Sequence, residues 1–231
     1  MDPNQLFMDE RLTGYCVLCG GSSDTRDHVP PKVFLDKPYP EELPVVGACD
    51  ECNRGASLDE EYLACFLECV VCGTTDPSGV RRQKVRRILE RKPRLRKRIA
   101  EAENRDESGN SVWMPEMHRA ERVILKLARG HAAYELYPHL EEPCDMDIVP
   151  LIAMSEEERI AFEAVMLGTY QGWPELGSRA FMRAIGSSPD KRETVGGWII
   201  VQPGRYRYAV LEGTIVQIVL SEYLACRVVW E

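Results

Sequence analysis

Two short cysteine knuckles constrain this chain more than any other feature. They are Cys16-Val17-Leu18-Cys19 and Cys49-Asp50-Glu51-Cys52. Thiolates at i and i+3 in a tight turn can face one cation, and two such turns complete a tetrahedron. Cys16, Cys19, Cys49 and Cys52 are therefore the expected ligands of one zinc ion. A closed set of four thiolates leaves no open position, so that zinc is structural. Residues 15–57 are rich in Gly, Pro, Asp and Cys and bring little that could bury a core. Metal binding is expected to supply much of their folding free energy. The chain has nine cysteines, an odd number, four of them at metal spacing. Metal is thus favoured over disulfides, which fits a reducing cytoplasmic location. The opening Met1-Asp2-Pro3-Asn4-Gln5 has neither a basic nor an apolar secretory region. Nothing approaches the roughly 18–20 apolar residues of a membrane span, so no membrane partner is expected.

Between the knuckles stands Asp27-His28-Val29-Pro30-Pro31-Lys32. Histidine titrates near working pH and can take a proton from an attacking water, so His28 is the candidate general base. Asp27 offers the hard oxygen that Mg²⁺ or Mn²⁺ prefers and is the candidate ligand of a catalytic divalent cation. The structural alternative has Asp27 capping a turn and His28 merely at the surface.

The formal net charge of −8 hides a concentration of positive charge. Residues 80–98 carry 11 basic residues against the single acid Glu90, a local +10 that leaves −18 for the rest of the chain. Nucleic-acid binding needs such a patch more than a basic average. Lys32, Arg81, Arg82, Lys84, Arg86, Arg87, Arg94 and Lys97 are the candidate phosphate contacts; the alternative is a solvated helix face. Phosphate contacts hold a polyanion without reading its sequence.

The expected fold class is α+β. A zinc-stapled module spans 1–72, a helical region with the basic segment 73–140, and an α+β C-terminal region 141–231. Ser57 and Glu60 match a capping box for a helix over 58–72 whose apolar face is Leu58, Tyr62, Cys65, Phe66 and Cys69. Cys65, Cys69 and Cys72 read as core rather than a second metal site. Asp59, Glu60 and Glu61 read as favourable charge at a helix N-terminus. The basic segment breaks near Pro93, and Asn104–Ser111 reads as a linker or turn. A helix over 116–130 turns Met117, Val123, Ile124 and Leu127 inward and ends near Gly130. Ser155 is the expected cap of another helix. The β-rich runs 198–202, 206–210, 214–220 and 225–230 predict a small antiparallel sheet. His118, His131 and His139 lack a motif, and Trp173, Trp198 and Trp230 read as core or interface aromatics.

The order Cys-x-x-Cys, Asp-His-x-x-Pro, Cys-x-x-Cys-Asn resembles the zinc-bearing HNH endonucleases of the ββα-metal fold, over about residues 15–65. The string Leu43 to Asn53, with Ser57 and Asp59-Glu60-Glu61-Tyr62, also resembles a bacterial HNH subgroup. The resemblance implies a β-hairpin carrying Asp27 and His28 and a helix starting near the second knuckle. It implies His28 as general base, with Asp27 and Asn53 holding Mg²⁺ or Mn²⁺. Asn53 stands where many members have histidine, and 35–48 offers no counterpart of the family's middle asparagine. The function so implied is a metal-dependent endonuclease hydrolysing phosphodiesters, in DNA first, in a setting such as antiviral defence. The alternative is a non-catalytic zinc-stabilised module that binds nucleic acid or protein. A homodimer or protein partner is expected to use the C-terminal region.

Overall fold

The computed structural model describes residues 14–41, 43–105, 109, 111–165, 178–186, 192–211 and 215–231. Its N-terminal part begins with an antiparallel pair, β1 (Thr25–His28) and β2 (Val45–Ala48), in which Asp27 faces Val46 and His28 faces Val45. Gly47 sits in β2 because the Tyr15 carbonyl lies only 2.6 Å from where a Cβ would be. Helix α1 (Asp50–Gly55) follows at once and runs through Ala56 into α2 (Ser57–Cys72).

That near-continuity changes the expected capping. Ser57 is already helical, its hydroxyl donates back to the Arg54 carbonyl at 2.8 Å, and Ala56 holds the N-cap position without a side-chain bond. Glu60 is drawn elsewhere, as described below. Leu58 is 69% exposed rather than inward, whereas Tyr62, Cys65, Phe66 and Cys69 are buried. Gly73, at φ 63°, ends α2 by letting its N–H reach back to the Cys69 and Val70 carbonyls.

The basic segment forms α3 (Gln83–Arg91) and α4 (Pro93–Ala100). Pro93 forces the break, since it lacks an N–H but suits the first turn of a new helix. Val80, Val85, Leu89 and Ile99 fasten these helices to the core. The expected linker after them is instead a small hairpin, β3 (Glu103–Arg105) with β4 (Ser111–Trp113). Helix α5 (Met117–Glu135) is longer than predicted. Val123, Ile124 and Leu127 are buried as expected, while Met117 is 37% exposed. Gly130 lies inside α5, where a Cβ would stand 2.7 Å from Val29. It is there for close approach to the chain after β1, not as a stop.

The C-terminal part adds β5 (Asp145–Pro150), α6 (Glu156–Glu163), α7 (Arg179–Ala184), β6 (Thr194–Val195), β7 (Trp198–Gln202), β8 (Tyr206–Leu211), β9 (Ile215–Leu220) and β10 (Leu224–Val229). Ser155 does cap α6, in a full capping box with Glu158. The strands form an antiparallel sheet of order β5-β10-β9-β8-β7-β6. Period-two alternation buries both faces. Tyr206, Tyr208, Ile218 and Cys226 join the main core, while Ala209, Val219 and Ala225 join Phe162 and Trp198 in a second cluster. The main core takes residues from 1–72, 73–140 and 141–231 alike. A third cluster, around Cys16, Val29, Ala48 and Tyr134, sits beneath the knuckles. Helix α5 is also pinned to the sheet by polar contacts. Glu135 takes two 2.9 Å bonds from Arg183 and one of 2.6 Å from the Tyr208 hydroxyl. Trp198 and Trp230 are core residues; Trp173 lies outside the described residues.

Candidate functional site

The four knuckle cysteines converge. The sulfurs of Cys16, Cys19, Cys49 and Cys52 all lie within 4.8 Å of one another, and Cys19 and Cys49 are 3.8 Å apart. Zinc–sulfur bonds of about 2.3 Å in a tetrahedron place the sulfurs about 3.8 Å apart, so the cluster fits a structural zinc. Local backbone shapes it. The Gly20 N–H bonds to the Cys16 carbonyl at 2.8 Å, at a φ of 79° that favours glycine. Cys49 also accepts the Cys52 N–H at 3.4 Å and so caps α1. Burial, then the neighbouring Cys49 and Cys19 thiols, push the Cys52 thiol far up. A bound dication reverses that balance and holds the thiolates.

Asp27 and His28 are consecutive on β1, and Asn53 stands on α1 just after the second knuckle. The Asn53 amide Nδ2 donates to the Thr25 hydroxyl and the Arg26 carbonyl, each at 3.2 Å, and thereby ties α1 to β1. Because a carbonyl only accepts, the nitrogen must face β1, and Oδ1 has no hydrogen-bond partner among the described residues. His28 is half-buried. Burial, then the Lys32 charge, lower its imidazole below the ordinary value against an opposing pull from Asp27. Its buried Nδ1 has no hydrogen-bond partner among the described residues.

Asp27 has a partner that the sequence pattern does not reveal. Lys126 of α5 places Nζ 2.8 Å from Asp27 Oδ2, 2.7 Å from Glu60 Oε1 and 3.2 Å from the Asn53 carbonyl. The three side chains are almost entirely buried, with Lys126 only 9% exposed. Burial alone would lower the ammonium's pKa, but Asp27 and Glu60 together hold it above the ordinary lysine value. Lys126 lies one helical turn before Gly130, so one face of α5 delivers a cation to Asp27 and a gap to Val29. The expected Mg²⁺ or Mn²⁺ meets a poor donor set here. The carboxylate meant for it is neutralised by an ammonium, and the adjoining carboxylate is shared with the same ammonium. Asp59 and Glu60 do stand in the first turn of α2, where negative charge is favourable, and the neighbouring acids are paired as well. Asp59 meets Arg122 at 3.0 Å and Arg119 at 3.5 Å, and Glu61 meets Lys92 at 2.5 Å.

The basic segment lines a groove of about 1030 Å³ between α3 and the loop after β1. Its walls include Lys37, Tyr39, Arg81, Lys84, Arg87 and Arg91. These five cations have no acidic partner among the described residues. Other basic residues serve the fold. Arg82 donates to the Leu35 carbonyl at 2.6 Å and pairs with Asp36 at 2.9 Å. Arg86 donates to the Val80 carbonyl at 2.8 Å. Arg94 and Lys97 sit on α4 outside the groove, and Lys97 lies 3.7 Å from Glu101. Lys32 stands over the Tyr39 ring, 5.8 Å from its centre, and so bridges His28 and the groove.

Lys37, Tyr39, Arg91, Lys126 and Glu60 thus join the candidates. Arg91 belongs to the basic run 80–98 itself; nothing local marks Lys126, which is 66 residues from Glu60. Cys65 and Cys69 are buried thiols, each pushed up to about 12 chiefly by burial, as suits core residues. His131 and His139 are buried and His118 is largely exposed. Among the described residues no helix is long and apolar enough to cross a membrane. In comparisons with protein-family models, curated proteins and solved structures, nothing matches the chain.

Proposed function

We propose that the chain is an endonuclease hydrolysing phosphodiester bonds, DNA foremost, through a zinc-stapled ββα module of the HNH type. One observation carries this reading. A half-buried imidazole, His28, is held on β1, and Lys32, whose charge acts on it, stands over Tyr39 in the wall of a groove of unpaired cations. A lowered pKa keeps that imidazole neutral at pH 7, with one nitrogen able to accept a proton. His28 takes a proton from water as the oxygen attacks phosphorus, the bond to the leaving sugar oxygen breaks, and that oxygen leaves as a hydroxyl with a proton from solvent, to which the imidazolium then returns its own. Lys37, Arg81, Lys84, Arg87 and Arg91 hold the flanking phosphates. Zinc at the four cysteines fixes the hairpin and α1 and takes no part in the step.

The test is nicking of supercoiled plasmid by zinc-loaded protein, with single-stranded DNA and RNA offered in parallel. His28→Ala should lose about 10²–10⁴-fold in rate, the usual contribution of a general base, with its zinc content and melting curve unchanged. Equal cleavage by His28→Ala would overturn the assignment. The ion pair on Asp27 favours one second reading, a polyanion-binding module without catalysis. Retention of DNA without cutting, on every substrate, would establish that instead.

A further inference from the structure

The cation position itself carries one further inference. In a metal-dependent centre, Asp27 would lend its charge to a divalent ion that a water shell and other oxygens complete. Here its Oδ2 already has a cation at 2.8 Å. That cation has no room to be casual. Nζ of Lys126 is simultaneously 2.7 Å from Glu60 Oε1 and 3.2 Å from the Asn53 carbonyl, so its three protons point at three acceptors from β1, α2 and α1. Three is all the donor capacity an ammonium has. The stem is buried as well, since the Lys126 side chain is only 9% exposed. A divalent ion at Asp27 would have to expel this ammonium and leave it buried against another positive charge.

We propose that Lys126 supplies, covalently, the positive charge that Asp27 would otherwise draw from Mg²⁺ or Mn²⁺, so that the wild-type chain has no divalent-cation site at Asp27. Lys126 is a positioning residue here, setting the charge and attitude of Asp27 beside His28. The statement about cation binding stands on this geometry alone. Its bearing on cleavage, which should then proceed without added Mg²⁺ or Mn²⁺, rests on the endonuclease reading above.

The experiment is a Mn²⁺ titration of the full, zinc-loaded chain, followed by paramagnetic resonance of free Mn²⁺. Wild type and Asp27→Asn should give the same curve. Lys126→Met should gain about one Mn²⁺ per chain, the number a single vacated carboxylate pair can hold. Adding Asp27→Asn to Lys126→Met should abolish the gain. A wild-type site that Asp27→Asn removes would overturn the proposal, and so would a folded Lys126→Met that gains none. If Lys126→Met does not fold, the wild-type and Asp27→Asn comparison decides alone. Plasmid nicking in metal-depleted buffer, with zinc content verified, is run beside it. Absence of cleavage under every condition counts against the endonuclease reading and leaves the Mn²⁺ result standing.

Discussion

Lys126 shows how much of a buried centre depends on one side chain. Its ammonium is the shared counter-charge of Asp27 and Glu60, both almost fully buried. Breaking a buried pair by deleting one partner costs about 3–5 kcal/mol, because the surviving charges keep their desolvation penalty. Lys126→Met should lose that much in urea unfolding, and a second change, Asp27→Asn, should recover part of it. His131 poses the opposite case, a titratable group held neutral. Its Nε2 lies 2.7 Å from the Tyr206 hydroxyl, and its ring stacks 3.6 Å from the Tyr208 ring. Complete burial, then the Arg192 charge, lower its pKa well below 6.5. The unfolded chain therefore takes up a proton first. Stability should be level above about pH 6.5 and fall beneath it, by up to about 1.4 kcal/mol per pH unit for one proton. Unfolding measured between pH 5 and 7.5 should show this slope. His131→Gln should lessen it without removing it, since His28 is shifted in the same direction.

At the scale of elements, the cysteine cluster and the main core are separable. Cys16, Val17, Val29 and Ala48 pack in their own cluster with Ala133 and Tyr134, apart from the core around Phe66 and Ile218. Stripping zinc should release β1, β2 and α1 while β8–β10 stay protected, which amide exchange before and after chelation will show. The elements most legible in the sequence were those whose signal is local. The knuckles declare a metal, Pro93 declares a break, Ser155 and Glu158 declare a cap, and the Val-Ile-Leu runs near the end declare strands. What stayed hidden depends on partners far along the chain. Strand β5 reads as polar because Asp145 and Asp147 interrupt it, and only its pairing with β10 reveals it. Ser57 looks like a cap until α1 is seen to flow into α2. The same holds at the site: His28 and Asp27 announce themselves by motif, whereas Lys126 becomes visible only when α5 packs against the hairpin and reaches Asp27.

For the molecule as a whole, charge is divided into a groove and its surroundings. A chain of formal charge −8 repels a polyanion everywhere except where cations are left over, and the groove is such a place. Removing one cation that neutralises a phosphate should reduce the slope of log affinity against log salt by about 0.9 for duplex DNA. Lys84→Glu with Arg87→Glu should flatten that slope by at least twice as much, while Arg94→Glu, outside the groove, should leave it nearly unchanged. Arg205, in the turn after β7, reaches the groove's wall. Asp36 bonds through its N–H to the Gln202 side chain at 2.7 Å, receives the Gln202 amide at its carbonyl at 3.0 Å, and takes Arg205 at 2.6 Å and Arg82 at 2.9 Å on its carboxylate. The stretch that carries Lys37 and Tyr39 thus hangs from β7 and the turn after it. Binding and folding are then linked by mass action. An oligonucleotide that grips Lys37 and Arg81 favours the latched form by RT ln(1 + [L]/Kd), and a sheet that loosens gives up the same free energy in affinity. The C-terminal sheet becomes a thermodynamic reporter of whether the groove is filled.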